Sequence, residues 1–139
     1  MNKILTVGCA GFADALLSTI NNFMPICFVS GSLSKISMRQ LKIINGTNAL
    51  LLNIDKNLFF SNNFEKLQND LKIEIDKLIK LKKHIIISIT VEDEDREVNK
   101  YYAQKNFIEN DNISEYIALT TAKIIKFIFE YIKIKALFI

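Results

Sequence analysis

The chain has one histidine, one proline and two cysteines in 139 residues, and each scarcity removes a class of protein. Cys9 and Cys27 have neither the paired spacing of a zinc site nor the density of a disulfide scaffold. They read as reduced, mostly buried thiols, although Cys9 beside a helix start has the position of a reactive one. His84, the only histidine, opens an apolar run and has no serine, cysteine or aspartate partner that spacing identifies, so it reads as structural. After one lysine the N-terminus offers a four-residue apolar stretch before Gly8, too short for a secretory h-region. Nor is there an uninterrupted bilayer span, because "IIKFIFEYIKIKALFI" carries Lys126, Glu130, Lys133 and Lys135. A cytoplasmic protein with no membrane partner is the expectation. Heavy use of Ile, Lys and Asn points to an AT-rich bacterial genome.

What is present suits one folded domain spanning residues 1–139: half of the residues are apolar and 24% are charged. Net charge is only +3, and the lysines of "EKLQNDLKIEIDKLIKLKK" alternate with acids as on a solvated helix face. A phosphate-backbone footprint would gather them with aromatics, so no nucleic acid partner is expected.

Five short apolar runs of strand length and β-branched content recur: Ile4 to Val7, Ile26 to Ser30, Ala49 to Ile54, His84 to Val91 and Lys135 to Ile139. Helical spacing fills Phe12 to Asn22, Ser34 to Ile44, Asn63 to Lys82, Arg96 to Lys105 and Ser114 to Ile134. In the last of these, Ile117, Thr121, Ile124, Ile128 and Tyr131 form a core-facing stripe, with Asn112 or Ser114 as cap and Glu115 in the first turn. Continuous strands such as "HIIISITV", separated by helices, are what a parallel sheet covered on both faces requires. The expected fold is α/β, doubly wound, with a mainly parallel sheet of about five strands. Pro25, the single proline, stands where a strand begins.

Two strand-to-helix turns use glycine, "VGCAGFADAL" and "VSGSLSKIS". Glycine lets the backbone come close to a bound group, and the amides of a following helix start can hold a phosphate. Neither turn has Walker or dinucleotide spacing, and Ser32 or Ser34 serves equally as a plain N-cap. "EDEDRE", Glu92 to Glu97, follows a strand and offers oxygens to a hard cation, but acids before a helix also suit its dipole, and that is the reading adopted.

"FVSGSLSKISMRQLKIING", with "VGCAGFADALL" before it and "ALLLNID" after it, resembles the nucleotide-binding C-terminal domain of the four-carbon acid sugar kinases. In that family a strand leads into a Gly-Ser-x-Ser turn, then a helix with a glutamine near the position of Gln40, then a strand ending in an acid like Asp55. The family's upstream Gly-Ser-Ala-Gly-Leu turn is similar to "GCAGF", with Cys9 and Phe12 replacing Ser and Leu. The likeness runs in order through "ISEYIALTTAKIIKFIFEYIKIKALFI", after which the family continues into a Gly-Gly-Asp-Thr phosphate-binding turn.

The resemblance implies part of a two-domain, ATP-dependent kinase that phosphorylates a threonate- or erythronate-like acid, with Mg2+ as the accompanying cation. Its N-terminal acid-binding domain and its final phosphate turn are not in these residues, so this stretch by itself is expected to be inactive. The resemblance further implies that Gly31 permits close approach of ATP and that Ser32 and Ser34 donate to it, while Gly8 and Gly11 line the same crevice. For Asp55 two readings stand, contact with the nucleotide ribose or capping of the next turn. The alternative for the whole chain is a noncatalytic doubly wound domain that binds a small molecule or regulates a partner. An exposed last strand would favour a homo-oligomer.

Overall fold

A computed structural model describes residues 4–5, 23–30 and 48–139 of the chain. Among these residues five strands are present: β1 (Ile4–Leu5), β2 (Ile26–Val29), β3 (Ala49–Leu51), β4 (His84–Ile87) and β5 (Ala136–Phe138). Four α-helices accompany them among the described residues: α1 (Lys56–Phe60), α2 (Phe64–Lys80), α3 (Glu94–Lys105) and α4 (Ile113–Tyr131). The strands form one sheet in the order β1-β5-β2-β4-β3, and every pairing is parallel. The expected α/β class with a parallel sheet is the observed one.

Register follows from alternation. Cys27, Ile85, Ile87 and Leu137 face the helices, joining Phe59, Phe60, Leu67, Leu71, Ile75, Ile124 and Ile128 in the main core. Ile26, Phe28, Ala49, Ile86, Ala136 and Phe138 form a second cluster on the other face, where the Phe28 and Phe138 rings stack at 5.3 Å. With Ile26, Ile85 and Ile86 all 0% exposed, both faces are dry, which is why these strands carry no polar alternation.

α2 forms where Leu67, Leu71, Ile75 and Leu78 repeat at helical spacing. Asn63 caps it by accepting from Lys66 N–H, Glu65 lies in its first turn, and Lys77 and Lys80 in its last, all favourable to the helix dipole. It ends in a left-handed turn: Lys82 has φ 54°, with Lys82 N–H on Ile79 O and Lys83 N–H on Leu78 O. α3 ends the same way at Phe107, φ 64°, whose side chain is 96% exposed.

The helices depart from the sequence reading, one by being unforeseen and one in its buried stripe and cap. A five-residue helix, α1, follows Asp55 and buries Phe59 and Phe60; it is too short to show a period. The buried stripe of α4 is Thr120, Ile124, Phe127 and Ile128, with Ile117 and Tyr131 only partly covered. A 3-10 turn over Asn110–Asn112 leads into α4, and Asn112 makes no capping hydrogen bond. No helix among the described residues is long and apolar enough to cross a membrane.

Candidate functional site

The strand order determines where a ligand would meet this sheet. From β3 the chain steps back to β4 and then past β2 to β5, whereas β1, β2 and β3 succeed one another in the opposite sense. The neighbours β2 and β4 are therefore left in opposite directions. In open parallel sheets the crevice beyond the carboxyl ends of two such strands is where ligands bind. Val29 pairs with Ile87 in this register, and Ser30 N–H bonds to Ile87 O at 3.1 Å. The residues just past these ends are Ser30 on one side and Ser88, Ile89 and Thr90 on the other.

β4 is expected to run to Val91, but the ladder ends at Ile87. Side chains compete with the sheet for the backbone here. Ser88 Oγ donates to Thr90 O at 2.9 Å and accepts from Thr90 N–H at 3.3 Å. Asn99, one turn into α3, donates from Nδ2 to Ile89 O at 3.3 Å and to Thr90 Oγ1 at 3.0 Å.

Asp95 holds the next stretch. Its Oδ2 accepts from Val91 N–H and Glu92 N–H, each at 2.9 Å, and its Oδ1 accepts from Lys56 Nζ at 2.7 Å. Burial of this carboxyl pushes its pKa up. The hydrogen bonds from Glu92, Lys56 and Val91, together with the Lys56 charge, outweigh that and leave it below the usual carboxylate value. Of the acids in "EDEDRE", Asp95 is thus a loop clamp. Among the described residues no three His, Cys, Asp or Glu side chains gather to hold a metal ion.

Asp55 lies four residues beyond β3, exposed, as the N-cap of α1, with Oδ1 accepting from Leu58 N–H at 3.1 Å. This is the capping geometry that one of its two sequence readings described. Gly8, Gly11, Gly31, Ser32 and Ser34 lie outside the described residues, as does Cys9. The sequence reading missed the Lys56 to Asp95 pair and the cluster of Ser88, Thr90 and Asn99. The only available signal was the pair of hydroxyl residues inside "ISITV", which an apolar strand does not need.

His84 and Cys27 stand away from this edge in function. His84 begins β4 at the amino end of the sheet and is 3% exposed, with Nδ1 accepting from Ile26 N–H at 2.9 Å and its ring 5.4 Å from that of Phe23. Burial lowers its pKa. Cys27 is buried in mid-sheet, which raises its thiol to about 12 and makes it inert at neutral pH.

No family model matches the chain, and no curated protein or solved structure matches it either.

Proposed function

We propose that this chain is the nucleotide-binding part of an ATP-dependent kinase acting on a four-carbon acid sugar. The observation that carries the reading is the position of Ser30. It follows the last residue of β2 beside β4, at the reversal in strand order, and Gly31 is the next residue. A Gly-Ser-x-Ser sequence following a parallel strand has the chemistry to take a phosphate chain on its amides and hydroxyls. In this proposal Gly31 allows close approach, Ser32 and Ser34 donate to phosphate oxygens, and Gly8 and Gly11 line the crevice. Asp55 already spends one carboxylate oxygen on α1, so its part is to shape the loop beside the nucleotide.

Phosphoryl transfer needs both reactants positioned and the phosphate charge neutralised. ATP would supply the transferred group. The residues here bind and orient it, while the acid sugar is held by the partner domain that such kinases carry. Mg2+ belongs to the proposal by resemblance alone, and no step is assigned to it.

A second reading, a noncatalytic binding or regulatory domain, draws on the neutral cluster that immediately follows β4. Ser88, Thr90 and Asn99 offer hydrogen bonds but no general base. ATP titration of the chain separates the two. The kinase reading expects a Kd of roughly 0.2 to 1 mM, about 4 to 5 kcal/mol, weakened about three- to tenfold by Ser32→Ala. No ATP binding at millimolar concentration, or an unchanged Kd for Ser32→Ala, refutes the kinase reading or the role of Ser32 respectively.

A further inference from the structure

Five polar residues are buried among the described residues, and three of them, Ser88, Thr90 and Asn99, gather just past the carboxyl end of β4. Ser88 and Thr90 are paired as described. Asn99 is different. It is 3% exposed, its Nδ2 donates to both Ile89 O and Thr90 Oγ1, and its Oδ1 has no partner at all. The amide cannot be turned round to cure this, because Ile89 O accepts only from the NH2 side. Orphaned interior acceptors are rare, and each calls for a reason. Asn99 stands in α3 and its amide reaches the loop past β4, the strand end where the sheet order reverses, a loop also held by Ser88 and Asp95.

We infer that Asn99 Oδ1 is the acceptor for a hydrogen-bond donor on the nucleoside part of a bound nucleotide, either a ribose hydroxyl or the amino group of the base. This rests on the nucleotide reading above and extends it to a residue that holds the loop past β4. The assignment follows from chemistry. Fully ionised phosphate oxygens are acceptors, so they cannot satisfy an orphan acceptor, whereas the nucleoside end brings O–H and N–H donors. A buried acceptor that pairs only with the correct ligand also discriminates against analogues lacking the donor. Oδ1 is closed off from solvent, so a ligand donor reaches it only with a local side-chain movement, and the Asn99 amide is its own reporter.

The test is a titration of the 15N-labelled full chain with adenosine, purine riboside, 2′,3′-dideoxyadenosine and pyrophosphate, followed on the Asn99 side-chain NH2 resonances. Adenosine is expected to shift them and pyrophosphate to leave them in place. One analogue should bind about three- to tenfold more weakly: purine riboside if the base amino group is the donor, the dideoxy compound if it is a ribose hydroxyl. Asn99→Ala should weaken adenosine by a similar factor. If that variant does not fold, the analogue series on the native chain decides. Saturation by adenosine with the Asn99 amide unmoved, or equal binding of all three nucleosides, overturns the inference and leaves Oδ1 to an internal water only. Should ATP and pyrophosphate still bind in that case, the nucleotide reading survives. If nothing binds, both fall together.

Discussion

Lowering the pH from about 7.5 to about 5.5 is expected to destabilise the folded chain through His84, with a ceiling of about 1.4 kcal/mol when the folded ring stays unprotonated throughout. Its Nδ1 accepts from Ile26 N–H at 2.9 Å, so that nitrogen must carry no proton. Protonation would set two donors against each other in a pocket where the side chain is 3% exposed. Burial lowers the folded pKa from an ordinary value of 6.5. The unfolded chain, with its imidazole in water, binds a proton that the folded chain refuses. Stability is therefore complete above about pH 6.5 and falls below it, by up to about 1.4 kcal/mol per pH unit, until the folded ring itself protonates. Urea unfolding followed by helical circular dichroism at stepped pH gives the slope. His84→Asn is the reference, since an asparagine Oδ1 accepts from Ile26 N–H without titrating, and no other histidine exists. Equal slopes for the native chain and the variant between pH 7 and 5.5 would refute the reasoning.

Other expectations follow from single contacts. Lys82 and Phe107 hold the left-handed conformation at the ends of α2 and α3; replacing either by glycine should add about 0.5 to 1 kcal/mol of stability, and a lower midpoint in urea would contradict this. Asp95→Ala strips acceptors from Val91 and Glu92 N–H and unpairs Lys56, for a loss of about 1 to 2 kcal/mol. The amides of Val91 and Glu92 should then exchange faster than the global opening rate, and unchanged exchange would count against the clamp. Because the Asp95 pKa is depressed from 3.8, its contribution is present above about pH 4 and vanishes as pH falls through its folded value, clear of the His84 window. Cys27, raised to about 12, should resist iodoacetamide in the native chain at mildly alkaline pH, and rapid labelling of its peptide would show otherwise.

Particular residues show why some of this was legible in advance. Leu67, Leu71, Ile75 and Leu78 announce α2 because each is one helical turn or nearly so from the last. "HIII" and "ICFV" announce central strands because a strand buried on both faces has no polar side to show. α1 could not be read: five residues make less than two turns, and its cause is tertiary, the burial of Phe59 and Phe60 against Tyr116 of α4, whose hydroxyl donates to Phe59 O. "SITV" reads as a continuation of β4 by composition, yet Ser88 and Thr90 bond to each other and end the ladder.

Apolar period and β-branched content, which are local properties, determined the α/β class, the parallel sheet and the main helices. Tertiary structure alone decided the strand order, because which strands become neighbours depends on pairing between segments up to 133 residues apart, as Ile4 lies opposite Leu137. It likewise decided the polar cluster at the carboxyl end of β4. Lys56 finds Asp95 across 39 residues and Asn99 finds Thr90 across 9. A hydrogen bond is satisfied by distance in space, and spacing along the chain does not encode that.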